Sequence, residues 1–99
     1  MVIVVFEFEL KPSGGDRYFE LAAALREELE KQPGFIAIER FESLSTKGRF
    51  VSIQSWKDDA SVKAWRDHAE HRLAQEEGKE SLFSAYRLRV ANVFRDYTD

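Results

Sequence analysis

The sequence predicts an α+β domain in the ferredoxin-like order β-α-β-β-α-β, a four-stranded antiparallel sheet with two helices on one face. Three observations carry this. Two stretches with helical apolar spacing each lie between runs of β-branched and aromatic residues, and Ser45-Thr46-Lys47-Gly48 joins the two middle runs as a hairpin loop. The runs are also apolar on both faces, as Ile3, Val5, Ile36, Ile38, Val51 and Ile53 alternate with Val4, Phe6, Phe35, Phe41 and Phe50. Two helices cover one face only, so the other is expected to pack on a second copy, making a dimeric α+β barrel.

The first strand is expected over Val2 to Leu10, with Val4, Phe6, Phe8 and Leu10 on one face and Ile3, Val5, Glu7 and Glu9 on the other. Pro12, Ser13, Gly14 and Gly15 break it, and Asp16 is placed to cap a helix running to about Lys31. Phe19, Leu21, Ala22, Leu25 and Leu29 form its apolar side, and Pro33-Gly34 ends it. Phe35 to Leu44 and Phe50 to Trp56 are the hairpin strands, with Gly48 able to take a positive φ. A second helix follows, capped by Asp58 and stopped by Gly78. Ser81 to Tyr97 is read as a final strand of unusual length, reaching toward the partner copy.

A length of 99 residues gives one domain spanning residues 1–99, with one core. Its 43% hydrophobic and 33% charged residues describe a soluble globular chain. A net charge of −3 with scattered Lys and Arg argues against a nucleic-acid partner. No cysteine is present, which removes disulfides and thiolate metal sites and fits a reducing cytoplasm. The opening MVIVVFEFELK lacks a basic leader region and is too short to span a membrane, so it is read as a strand and no membrane partner is expected.

Ser55 to Gly78 concentrates the unusual chemistry: two tryptophans, both histidines and a strand-to-helix junction. Val62, Trp65, Ala69 and Leu73 form one helical stripe, with Ala64, His68, His71 and Gln75 on the neighbouring one. The histidines are either half-wet helix flank or part of a site beside Trp65. As an i, i+3 pair they could share an ion, but no third ligand is called for by the spacing, so no metal is expected. Neither a nucleophile elbow nor a glycine-rich phosphate loop occurs.

The pattern W-x8-W-x2-H-x2-H-R-x-A-Q from Trp56 to Gln75, followed by Y-x3-V-x2-V-x-R-x-Y from Tyr86 to Tyr97, resembles the antibiotic biosynthesis monooxygenase family of dimeric α+β barrels. The resemblance implies a homodimer and a cofactor-independent oxygenase acting on phenols and quinols. It also brings in haem-degrading relatives, which use an asparagine on the first strand, a tryptophan on the second helix and a histidine ten residues further on. Here Trp65 matches, Phe6 stands at the asparagine position and Gln75 at the histidine position, so haem is not expected.

A cofactor-free oxygenase needs a base to ionise its substrate, an apolar pocket, and donors for the resulting anion. His71 is the candidate base, since its ordinary pKa of about 6.5 suits that task. Trp65, Phe6 and Phe8 are candidates for the apolar wall, with His68 at its border, and Tyr86 for orienting a substrate oxygen. Arg40 or Arg87, whichever points under the helices, would stabilise an oxyanion. The structural alternative is that Arg40, Arg87 and Arg89 pair with Glu7, Glu9, Glu39 or Glu42 across the sheet. The rival function is a non-catalytic dimeric barrel that binds a small apolar ligand or serves as an interaction module.

Overall fold

The computed structural model describes residues 1–12, 15–76 and 82–99, with the side chains of residues 71 and 73–76 outside that description. Its elements are β1 (Val2–Leu10), α1 (Gly15–Leu29), β2 (Phe35–Glu42), β3 (Arg49–Trp56), α2 (Asp59–Glu76) and β4 (Phe83–Asn92). The strands form one sheet in the order β2-β3-β1-β4, antiparallel at every pairing. This is the expected β-α-β-β-α-β architecture.

The most apolar strand lies at the centre. β1 pairs with β3 on one side and β4 on the other, and its alternation sends Val2, Val4 and Phe8 into the core. Val2 and Val4 pack with Leu29 of α1, Trp56, and Val62 and Trp65 of α2. Phe8 packs with Tyr18 and Leu21 of α1 and with Leu82 and Phe83. α1 thus packs on both clusters of the same sheet face, and α2 on the one that holds Trp56. Trp56 is wholly buried, so its indole N–H needs an acceptor, and it donates to Gln54 Oε1 at 2.8 Å.

Caps and glycines fix the junctions. Asp58 Oδ1 accepts the Ser61 backbone N–H at 2.8 Å, the expected N-cap of α2. That bond holds the Asp58 carboxyl below its ordinary pKa. Gly34 and Gly48 carry positive φ angles, and a Cβ at Gly34 would lie 2.3 Å from Ser61 Oγ, so the entry to β2 and the start of α2 can approach only through a glycine. Asp16 lies inside the first turn of α1, where its charge suits the helix dipole, and the helix begins at Gly15. The proposed stop at Gly78 and strand start at Ser81 lie outside the described residues.

Two details of the strands differ from expectation. β4 ends at Asn92, because its partner β1 runs out: the last bond in register is Val93 N–H to Met1 C=O, at 3.0 Å. In β2, a register shift between Phe35 and Ala37 changes the alternation. Ile38 therefore lies on the helix side, and Phe41, opposite Val51, lies on the uncovered face.

That uncovered face is mixed in character. Ile3, Val5, Val51, Ile53 and Phe41 share it with Glu7, Glu9, Arg49, Arg87 and Arg89. Glu7 receives hydrogen bonds from both Arg49 and Arg89. Among the described residues no helix is long and apolar enough to cross a membrane.

Candidate functional site

A cleft of about 170 Å3 opens between the helices and the covered face of the sheet. All four strands reach it: Val4 and Phe6 from β1, Ile38 and Arg40 from β2, Ser52 and Gln54 from β3, and Phe83 and Leu88 from β4. α1 contributes Tyr18, Leu21, Ala22, Leu25, Arg26 and Leu29, and α2 contributes Trp65, Arg66, Ala69 and Glu70. The lining is mostly hydrocarbon and aromatic ring, with a few polar groups among it, as small-molecule sites usually are.

The polar groups differ in how they are held. Ser52 is buried at the floor. Gln54 has its carbonyl oxygen committed to the Trp56 indole, which leaves the amide NH2 as the half able to donate. Tyr18 is buried, and desolvation raises its phenol pKa, against the opposing charge and hydrogen bond of Arg40. The Arg40 guanidinium lies 5.5 Å from the Tyr18 ring centroid and 5.6 Å from that of Phe19.

Among the residues singled out from sequence, Trp65, Phe6 and Arg40 meet in this cleft. Phe8 lies beneath it, almost fully buried and stacked on Phe6 at 5.0 Å and on Phe50 at 5.6 Å. His68 sits beside Trp65, 5.5 Å between ring centroids, but its Nε2 lies 3.3 Å from Glu28 of α1, outside the cleft lining. Glu28 also accepts from Arg72 Nε at 3.3 Å, so this group ties the two helices together. Tyr86 is exposed on the helix side of β4, with its ring 6.2 Å from Phe6. Arg87 stands opposite Glu7 on the uncovered face, away from the helices. The side chains of His71 and Gln75 lie outside the described residues.

Sequence reasoning passed over Tyr18, Ser52 and Gln54. Tyr18 had a signal: positions 18, 21, 22, 25 and 29 have strict helical spacing, whereas Phe19 breaks it and is 40% exposed. Ser52 and Gln54 had only strand parity with Trp56 to mark them.

A family model described as antibiotic biosynthesis monooxygenase matches residues 1–77. A jasmonate monooxygenase from Pyricularia oryzae is 41% identical over 93 residues, which is 94% of this chain. The chain spans only 43% of that relative's length. The crystal structure of an antibiotic biosynthesis monooxygenase superposes with a TM-score of 0.78 at 21% identity, covering 96% of this chain and all of the other. A putative antibiotic biosynthesis monooxygenase from Deinococcus radiodurans gives 0.76 at 12% identity, covering 100% of this chain and 98% of that one. These two likenesses speak for the fold. The match of the family model over most of the sequence places the chain in the antibiotic biosynthesis monooxygenase family.

Proposed function

We propose that the chain is a cofactor-independent monooxygenase acting on a small, largely apolar substrate of the phenol or quinol type, bound in the cleft between the helices and the sheet. The observation that carries this reading is the convergence of Trp65, Phe6 and Arg40 on one largely apolar cleft with the donors of Tyr18 and Gln54 at its wall. A phenol-type substrate, once ionised, supplies all four electrons that O2 takes up. A methylene activated by the ring becomes a carbonyl, one oxygen atom enters the product, and the other leaves as water. The protein then has three tasks: to take the proton, to exclude water, and to hold the anion with donors.

His71 is the proposed base, on the strength of its place on α2 six residues beyond Trp65. His71→Ala is expected to lower turnover by about 10²–10⁴-fold while leaving the thermal midpoint nearly unchanged. An unchanged rate in the folded variant removes the base role from His71. The relative named for jasmonate adds that compound to the substrates worth testing. Oxygen consumption measured against quinols, anthrones and jasmonate under metal-free conditions tests the activity. If none is consumed above the blank, the cleft is a binding site without chemistry.

The working unit in this reading is a homodimer joined through the uncovered sheet face, where Phe41 and Ile53 are exposed next to Ile3, Val5 and Val51. A folded monomer at micromolar concentration in sedimentation rules the dimer out. The cysteine-free composition is compatible with a cytoplasmic setting.

A further inference from the structure

Three arginines line the cleft, and two of them are already compensated. Arg26 Nε lies 2.9 Å from Glu30, and Arg66 lies 3.6 Å from Glu70, each partner one helical turn further along the same helix. Arg40 differs. Among the described residues no carboxylate pairs with it, and its guanidinium lies beside the rings of Tyr18 and Phe19. Those rings fix the guanidinium plane without neutralising its charge.

From this geometry we infer that the cleft selects ligands carrying a carboxylate, which Arg40 binds with the Tyr18 hydroxyl as a second donor while the apolar part of the ligand lies along Phe6, Leu25 and Trp65. The inference deepens the proposed function and rests on its reading of the cleft as the substrate site: the substrate is an apolar monocarboxylate, with the acid group separate from the reacting centre. Arginine suits this task, because its planar fork matches the two oxygens of a carboxylate. Among the described residues no carboxylate occupies that fork. Tyr18 reinforces the choice, since a phenol whose ionisation is resisted by burial stays a donor at neutral pH.

Calorimetric titration of the full chain with decanoic acid, naphthylacetic acid and their methyl esters tests this. Each ester keeps the shape and removes the charge. For the wild type, the acid should bind about tenfold to a hundredfold more tightly than its ester, the usual size of a charge-assisted hydrogen-bond pair. Arg40→Gln should abolish that preference and leave ester affinity within about twofold, and Arg40→Lys should retain part of it. Circular dichroism establishes that each variant is folded, and the wild-type comparison of acid and ester stands without any variant. Equal binding of acid and ester to the wild type overturns the inference, as does an acid preference that survives in Arg40→Gln. If no acid or ester binds while quinol oxidation proceeds, the carboxylate is refuted and the oxygenase reading stands. If the acid preference holds without oxygen uptake on any substrate, the carboxylate site stands and the oxygenase reading falls.

Discussion

The two walls of the cleft treat charge differently. On the helical wall, Arg26 and Arg66 each have a carboxylate within 3.6 Å, and outside the lining Glu28 spans the gap between the helices to reach both His68 and Arg72. On the sheet wall, Arg40 has none among the described residues. The cause is local geometry. A helix brings residues four apart to the same side, so a carboxylate one turn away compensates a cation at little entropic cost. A strand places its same-face neighbours two residues apart along an extended chain, and β2 is an edge strand with β3 on one side only. The β3 residue opposite Arg40 is Ser52, which is neutral. Compensation therefore comes by default on the helices and has to be supplied from elsewhere on the strand.

The largest effect that sharpens this comparison belongs to the helical wall. Trp65 is both core and cleft, packed with Val4, Leu29 and Val62 while lining the cavity. Trp65→Ala should destabilise the fold by about 3–5 kcal/mol, read from urea unfolding, and also weaken ligand binding. Arg40→Gln should weaken the binding of acids with little loss of stability. Were the two variants to lose stability equally, Arg40 would be a packing residue and the contrast between the walls would collapse.

A smaller effect follows from Tyr18. Its phenol pKa is raised in the folded state, chiefly by burial. The unfolded chain therefore loses that proton first as pH rises. The stability that Tyr18 contributes is complete below the unfolded value of about 10 and is lost as pH climbs through the higher folded value. Urea midpoints of the wild type should fall above pH 10, and Tyr18→Phe, which keeps the ring against Phe8 and Phe83, should remove part of that fall. Identical alkaline profiles would mean that burial does not resist the ionisation of this hydroxyl.

Much of the fold was legible because apolar period and turn chemistry agree over long stretches. Asp58, Gly34, Gly48 and the Val2–Leu10 alternation each announce a junction or a face in a single reading. β2 was harder: one extra residue near Ile36 reverses the parity of everything after it, and no Gly or Pro marks the shift. The site was legible in part for the same reason. Trp65 and Phe6 follow from helical and strand period. The choice between Arg40 and Arg87 turns on which face each strand presents, and that depends on pairing. Arg89 proved to be the structural arginine, bonded to Glu7, while Arg87 stands on the same uncovered face and Arg40, though exposed, on the cleft side.

The smallest expected effect tests whether compensation alone separates the two walls. Arg26 and Glu30 form an exposed i, i+4 pair whose side chains are 58% and 55% accessible. Such pairs contribute about 0.3–0.5 kcal/mol, so Glu30→Gln should change stability by no more than that, and less at high salt. The substitution also leaves Arg26 as a second uncompensated guanidinium on the cleft lining. Its side chain is largely accessible and among the described residues no aromatic ring holds its plane, so acid affinity should rise by less than about threefold. The titration that reads Arg40→Gln reads this variant too. An increase as large as the loss in Arg40→Gln would mean that any unpaired cation at the rim recruits the carboxylate. A negligible change would assign the selection to the position of Arg40 itself, between Tyr18 and Phe19.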